Sequence, residues 1–201
     1  MMARARVWCA RAIIAVRRVA GTVMAVKATI FKVELQVNDM DRNYYQGHTL
    51  TLAQHPSETE ERLMVRLLAF ALNAGEGLSF GRGISTDDEP DLWSRDLTGV
   101  IDLWIDVGQP DEQRIRKACG RSGEVRVYCF SGRSADIWWK KNAAALDRCA
   151  NLRVFQIPAE ASQQLAALAS RNMQLQCLVQ DGQVQVMGDA ATVEIDVIAL
   201  K

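Results

Sequence analysis

The sequence predicts an α/β protein in which helices flank a mixed β-sheet, and three observations support this fold class. Segments in which apolar and polar residues alternate, as in half-buried strands, lie near both ends of the chain. Continuous apolar segments typical of central strands lie between them and alternate with helical segments. The chain has 201 residues, of which 49% are hydrophobic and 24% charged, so it is long and apolar enough to bury a core.

The first predicted elements are a β-hairpin and a helix. Residues 28–37 and 47–53 both alternate, and turn-forming residues at 38–41 lie between them. A helix follows from Ser57, which has the chemistry of an N-cap, to about Asn73. Apolar residues cover more than one face of this helix, so we expect it to pack on two sides.

The centre of the chain predicts a βαβ unit. A loop rich in glycine and acids, with one short strand near residues 78–80, leads to a central strand at 98–107. A helix from 109–111 to about Cys119 separates it from a second buried strand at 124–130. Two strands joined by a helix are expected to be parallel, with a right-handed crossover.

The C-terminal part continues the alternation and ends in a second hairpin. Its two strands are joined through Asp181-Gly182, a two-residue turn signal. We expect one mixed sheet in a single domain at residues 24–201. The predicted elements of this part are a helix at 135–148, a strand at 152–157, a helix at 159–170, hairpin strands at 174–179 and 183–187, and a last strand at 192–199.

Residues 1–23 differ in composition from the rest. They contain five arginines and no acid, and Met24 follows them directly before the first strand. We interpret this segment as a non-native or dispensable extension. The whole chain has 24 basic and 24 acidic residues, so the remainder is acidic in net charge. Binding of DNA or RNA would therefore need a local basic patch.

Cysteine and histidine usage restricts the class of protein further. The five cysteines form no C-x-x-C pair and there are only two histidines, which argues against a structural zinc site. Reduced thiols in apolar surroundings predict a cytoplasmic protein. No segment approaches the roughly 20 apolar residues that cross a bilayer, so no membrane partner is expected.

The middle third carries an arrangement of acids found in metal-dependent nucleases. Such enzymes need carboxylates that converge on Mg²⁺ or Mn²⁺, commonly from a P-D dipeptide followed on the next strand by (D/E)-x-K. Pro90-Asp91 and Asp106 fit the two acids, and Glu58 or Glu61 is the candidate acid from the upstream helix. Asp102 is a further candidate ligand, because it is expected on the same strand face as Asp106.

Alternatives stay open for these acids. Asp91 lies among acidic loop residues whose ordinary role is turn formation, and Glu58 has a favourable charge for a helix N-terminus. For Asp106 the apolar strand favours a site, because a buried carboxylate is costly unless it is paired or bound to a metal.

The lysine of the nuclease pattern is missing. Gly108 stands in its place and Gln109 follows, so Gln109 or Lys117 on the next helix are the candidates for that role. Arg114, Arg116 and Arg121 are the candidate phosphate contacts. The alternative for this helix is a solvated charged face.

Long segments of the sequence resemble the YaeQ family over residues 24–200. The resemblance implies a variant of the PD-(D/E)xK restriction-endonuclease-like fold, with a core of helix, three strands, helix and strand, flanked here by the two hairpins. It also implies that Gly108-Gln109 is a family trait, and it supplies no activity because the family is described as of unknown function. The segments that carry the resemblance are KATI (27–30), HPSETEERLMVRLLAFAL (55–72), STDDEPDLW (85–93), DLTGVIDLWIDVGQPDEQRIRKACGR (96–121), SADIWW (134–139) and MQLQCLVQDGQV (173–184).

Two functional hypotheses follow. The first is a metal-dependent phosphodiesterase or nuclease that acts on DNA or RNA, with Asp91 and Asp106 as metal ligands. The second is a catalytically inactive module of the same fold that binds nucleic acid or a protein partner. The missing lysine and the acidic net charge favour the second, whereas the buried acid and the P-D dipeptide favour the first.

Overall fold

The computed structural model describes residues 28–81 and 89–201. In these residues the element order begins β1 (Thr29–Asp39), β2 (Tyr44–Gln54), α1 (Glu60–Asn73), β3 (Ser79–Phe80), β4 (Leu92–Arg95), β5 (Ile101–Val107), α2 (Glu112–Cys119) and β6 (Ser122–Cys129). It continues α3 (Arg133–Leu146), β7 (Leu152–Gln156), α4 (Ala159–Ala167), β8 (Asn172–Gln180), β9 (Gln183–Met187), β10 (Thr192–Ile195) and β11 (Ile198–Ala199).

The strands form two mixed sheets, and the prediction of one sheet was wrong. The five-stranded sheet has the order β10-β9-β8-β1-β2, and the six-stranded sheet has the order β11-β7-β6-β5-β4-β3. The strand predicted at 192–199 explains the difference, because it forms two strands, β10 and β11, that belong to different sheets. Its first half pairs with β9 and its second half pairs with β7, so the chain crosses between the sheets at Asp196-Val197. Alternation of apolar residues predicts a strand but does not identify its neighbours.

Both predicted hairpins are present in the five-stranded sheet. β1 and β2 pair antiparallel from Thr29↔Gln54 to Asp39↔Tyr44. β8 and β9 pair antiparallel across Asp181-Gly182, both of which have positive φ, as a tight hairpin turn requires. β1 and β8 run parallel to each other, which makes this sheet mixed.

Helix α1 lies between the two sheets. Every residue from Leu63 to Ala71 is buried, and the surrounding apolar cluster includes Val33 from β1 and Ile105 from β5. This continuous burial confirms the prediction that the helix packs on two sides. α4 contributes Leu165 to the same cluster.

The other face of the six-stranded sheet packs against α2 and α3. Trp104 on β5, Ile115 on α2 and Ala135 on α3 belong to this second cluster. The predicted βαβ unit is confirmed, because β5 and β6 are parallel and α2 connects them. The layers are therefore the five-stranded sheet, α1 with α4, the six-stranded sheet, and α2 with α3.

Around the candidate acids, the starts of two elements differ from the prediction and one strand was missed. Helix α1 has Thr59 as its N-cap, whose side chain accepts a hydrogen bond from the backbone N of Arg62 at 3.2 Å. Ser57 instead hydrogen-bonds the ring of His55. The predicted strand at 98–107 begins at Ile101, because Asp96 organises residues 96–100 into a loop. Strand β4, which precedes this loop, was not predicted.

Residues 1–23, predicted to be a dispensable extension, lie outside the described residues, and that prediction stays untested. None of the helices in the described ranges is long and apolar enough to cross a membrane.

Candidate active site

The two candidate acids meet at one edge of the six-stranded sheet. Asp91 precedes β4 and Asp106 lies near the end of β5, and these strands are antiparallel, so the start of one adjoins the end of the other. The backbone N of Asp91 donates to the carbonyl of Ile105 at 3.0 Å. Oδ2 of Asp91 accepts a hydrogen bond from the backbone N of Val107 at 2.7 Å. Asp91 and Asp106, which are separated in the sequence, are therefore neighbours in the structure.

Asp91 holds the guanidinium of Arg62, a residue of α1. Nη2 of Arg62 lies 2.8 Å from both carboxylate oxygens of Asp91 and 3.2 Å from the carbonyl oxygen of Val107. Asp91 is buried, whereas the Arg62 side chain remains 21% exposed. One positively charged group thus occupies a set of three oxygens at the end of β5.

Glu58 lies just before α1 and pairs with two arginines of that helix. Its Oε1 is 2.9 Å from Nη1 of Arg62, and its Oε2 is 3.0 Å from Nη2 of Arg66. Glu58 and Arg66 are both buried, and burial lowers the pKa of Arg66 from its ordinary value. Glu58 is therefore connected to Asp91 through Arg62.

Asp106 is held by a bidentate ion pair with Arg114 of α2. Arg114 donates from Nε to Oδ2 at 3.0 Å and from Nη2 to Oδ1 at 2.8 Å, and Trp104 Nε1 donates to Oδ2 at 3.0 Å. Burial nevertheless raises the pKa of Asp106 above its ordinary value, and the negative charge of Asp91 acts in the same direction. Asp106 is therefore a buried acid whose ionised form is unfavourable, and it lies beside the ion pair of Asp91 with Arg62.

These groups line a cleft of about 290 Å³. Among the described residues, its charged lining consists of two arginines, Arg62 and Arg114, and three acids, Glu89, Asp91 and Asp106. This described part of the lining has one more acid than arginine, a balance that favours a cation over a bare phosphate.

Gly108 and Gln109 follow Val107 at the mouth of the cleft. Gly108 has φ +104°, a conformation that disfavours any residue with a Cβ, so a lysine at this position would be strained. The amide nitrogen of Gln109 donates to the carbonyl of Phe130 and joins the ends of β5 and β6. That nitrogen has a structural partner, whereas no hydrogen bond within residues 28–81 and 89–201 engages the amide oxygen of Gln109.

Three other candidates, Asp102, Lys117 and Arg116, make none of the contacts described above for Asp91 and Asp106. Asp102 is exposed and lies four residues before Asp106, roughly 13 Å along an extended strand. It is too far away to share one metal ion with Asp106. Lys117 is exposed on α2, three residues beyond Arg114. Arg116 pairs with Glu112 at 2.7 Å and donates to the carbonyl of Ala145 near the end of α3.

Arg121 lies on the second-cluster side of the sheet, where its Cζ is 5.9 Å from the ring centre of Trp104. Arg114 lies at the same distance from that ring. Of the three predicted phosphate contacts, two are therefore neighbours of the cleft acids through Trp104, and Arg116 is directed toward α3.

Arg62, Arg66 and the carbonyl of Val107 were not predicted as site groups. A signal for the arginines was present, because Glu58, Arg62 and Arg66 recur at four-residue spacing and lie along one side of a helix. No sequence signal could identify the carbonyl, since any residue supplies one.

The oxygens around Arg62 are the ligand type that Mg²⁺ and Mn²⁺ prefer, and a cation already lies among them. Within residues 28–81 and 89–201, however, no group of three or more His, Cys, Asp or Glu side chains is arranged to hold a metal ion. A metal would therefore depend on two carboxylates, a carbonyl and water, a coordination that Mg²⁺ tolerates because it retains several waters.

Comparison with known proteins identifies relatives along most of the chain. The family described as YaeQ protein matches residues 24–197. A protein named Uncharacterized protein YaeQ from Escherichia coli (strain K12) is 45% identical over 176 residues, which cover 88% of this chain and 97% of the relative. Its namesake from Salmonella typhi is 44% identical with the same coverage.

Two crystal structures of YaeQ proteins are also similar. The protein from Xanthomonas axonopodis pv. citri is 55% identical with a TM-score of 0.85, and 87% of this chain matches 99% of that one. The protein from Pseudomonas syringae is 34% identical with a TM-score of 0.83, and 87% of this chain matches 96% of that one. With both the sequence and the fold matched along most of its length, this chain belongs to the YaeQ family.

Proposed function

We propose that this chain is a divalent-metal-dependent phosphodiesterase that acts on DNA or RNA in the Asp91–Asp106 cleft. The observation that carries the proposal is the position of Arg62 Nη2, which lies among both Asp91 oxygens and the Val107 carbonyl. These oxygens favour a cation and adjoin a second buried acid. The element order α1-β3-β4-β5-α2-β6 is the order that a PD-(D/E)xK core would have.

Asp91, Asp106 and the Val107 carbonyl would hold Mg²⁺ or Mn²⁺ in this proposal. A bound metal supplies a more acidic water and stabilises charge on the phosphate. Arg62 would leave Asp91 but remain held by Glu58 through Nη1, so its charge stays compensated. Glu58 is therefore a positioning residue rather than a ligand in this arrangement.

The charge of the cleft explains why a phosphate would need the metal. With the excess of acids in the described part of the lining, a bound cation would be needed to attract a phosphodiester. Arg114 and Arg121 next to Trp104 would contact the substrate phosphates, and the oxygen of Gln109, which lines the cleft, would orient the attacking water.

The second candidate function is a binding module without catalysis. It is favoured by the pairing of Glu58, Asp91 and Asp106 with arginines, which compensates the negative charge of these acids. In this case the ion pairs serve the fold, and the partner is a nucleic acid or a protein.

Thermal unfolding with and without Mn²⁺ tests the proposal. At ten times its Kd, a bound ion contributes about 1.4 kcal/mol, or about 3–6 °C in Tm for a domain of this size. We expect this rise in the native protein and its loss in Asp91→Asn and Asp106→Asn. Asp102→Asn changes an exposed acid of the same strand and is the matched control, in which the rise should persist.

A cleavage assay on single- and double-stranded DNA and RNA completes the test. Metal-dependent cleavage by the native protein and by Asp102→Asn, but not by the Asp91→Asn, Asp106→Asn double variant, supports the enzyme. A native protein with neither the Mn²⁺-dependent rise in Tm nor any cleavage would leave the binding module as the better description.

A further inference from the structure

A strip of stacked aromatic and basic side chains leads away from the cleft along β4. Cζ of Arg95 lies 3.5 Å from the ring centre of Trp93, a close cation–π stack. In the part of the chain that the structure describes, the Arg95 guanidinium forms no ion pair or hydrogen bond. One face of the Arg95 guanidinium covers the indole of Trp93, and the opposite face is open to solvent because the side chain is exposed.

The strip is continuous with the candidate active site. The Trp93 ring meets Trp104 edge to face, with ring centres 6.4 Å apart. Trp104 in turn donates to Asp106. Arg121 adds positive charge beside Trp104, and Asp102 is an exposed acid on this part of β5. The four residues of β4 span roughly 13 Å, so Arg95 is within reach of a strand that occupies the cleft.

The loop after Arg95 is tightly organised and yet exposes an apolar side chain. The Asp96 carboxylate accepts hydrogen bonds from Thr98 N at 2.8 Å, Thr98 Oγ1 at 2.7 Å and Val100 N at 2.9 Å. Leu97, held on this loop, is fully exposed. Leu97 follows Arg95 by two residues and gives this loop an apolar group that faces solvent beside the Arg95–Trp93 stack.

We propose that Arg95, Trp93 and Leu97 bind unpaired bases of a single-stranded nucleic acid whose backbone continues into the Asp91–Asp106 cleft. The inference rests on the proposed function and adds its substrate class. A guanidinium plane stacked on an indole is a platform for a base, and only unpaired bases have free faces for it. The charge of Arg95 also suits the neighbouring phosphates.

The test is fluorescence anisotropy with a fluorescein-labelled thymidine oligonucleotide of about 12 nucleotides, and with a duplex of equal length, in the presence of Ca²⁺, which takes oxygen ligands and offsets the acids of the cleft. We expect the native protein to bind the single strand more tightly than the duplex. Arg95→Met should raise the Kd for the single strand roughly tenfold, and Leu97→Ser should raise it less. Arg95→Lys keeps the charge and should preserve the salt dependence while weakening binding.

Arg171→Met is the matched control, because Arg171 lies 5.6 Å above the ring of Phe31 in the other sheet. It should bind like the native protein. The Tm of each variant checks that the fold is unchanged. Equal affinity for single strand and duplex, no binding of either, or an unchanged Kd in Arg95→Met would overturn the inference.

The experiments can disprove the phosphodiesterase and the single-strand platform independently of each other. Metal-dependent cleavage with no effect of Arg95→Met on binding would leave the phosphodiesterase without this platform. Arg95-dependent binding of the single strand, with no cleavage and no effect of Mn²⁺ on Tm, would support the platform on a non-catalytic module.

Discussion

Asp106 combines a strong ion pair with an unfavourable environment. Arg114 and Trp104 lower the pKa of this carboxyl, but burial raises it by more, so the net pKa lies above the ordinary value. The folded protein therefore binds a proton at Asp106 more readily than the unfolded chain does. The ionised form reduces stability, and this loss develops as the pH rises from the unfolded pKa through the folded pKa.

Asp106→Asn should for this reason stabilise the protein at neutral pH when no metal is present. Asn removes the buried charge, and Arg114, which is 24% exposed, can still reach water. We expect a gain of roughly 1 kcal/mol, or about 2–4 °C in Tm. The gain should shrink as the pH falls into the acidic range, where Asp106 itself becomes neutral. Melting curves across pH measure both effects, and a large destabilisation at neutral pH would show that the Arg114 pair outweighs burial.

Arg62 and a metal ion compete for the same oxygens in the proposed function. Arg62→Met removes the guanidinium and leaves Asp91 buried without it, which should cost about 3 kcal/mol in the free energy of unfolding, the lower end for a buried pair because Arg62 is 21% exposed. The Mn²⁺-dependent rise in Tm should become larger than in the native protein, because nothing has to be displaced. Arg116→Met, which breaks an exposed pair with Glu112, is the control and should leave the rise unchanged. A smaller rise in Arg62→Met would mean that the two cations do not share a site.

At the scale of elements, hydrophobic periodicity predicted most helices and strands. The helix ending at Asn73, the β5-α2-β6 unit and both hairpins were predicted because each has a local pattern or turn signal. β4 was missed because its four residues, Leu92–Arg95, mix apolar and charged side chains and depend on pairing with β5. Non-local pairing of this kind has no signature in a short segment.

The candidate site was predictable to a similar extent. Asp91 and Asp106 could be placed together because a P-D dipeptide followed by a second acid is a pattern of metal-dependent nucleases, even though β4, which Asp91 precedes, was missed. The pairing of each acid with an arginine could not be predicted, because Arg62 and Arg114 come from different helices. The glycine in place of the expected lysine is explained by the positive φ of Gly108, which is a property of the folded backbone.

At the scale of the whole molecule, α1 joins both sheets through one apolar cluster. The turn between β1 and β2 also contacts this helix, because Arg42 donates to the carbonyls of Ala74 at 3.0 Å and Ala71 at 3.4 Å at its C-terminal end. The cross-over between β10 and β11 connects the sheets a second time. These connections predict that neither sheet unfolds independently.

Leu68→Ala tests this cooperativity, because Leu68 is buried in α1 within the shared cluster. The cavity should cost about 2–5 kcal/mol. The four tryptophans of the described residues, Trp93, Trp104, Trp138 and Trp139, all belong to or pack against the second cluster, so their fluorescence reports on the layer farthest from the five-stranded sheet. We expect fluorescence and far-UV circular dichroism to show one coincident transition, shifted to lower denaturant concentration in the variant. Val125→Ala, in the second cluster, should shift both signals together in the same way. A fluorescence transition that stays at the native midpoint while the circular dichroism signal moves would mean that the six-stranded sheet and its outer helices fold without the shared core.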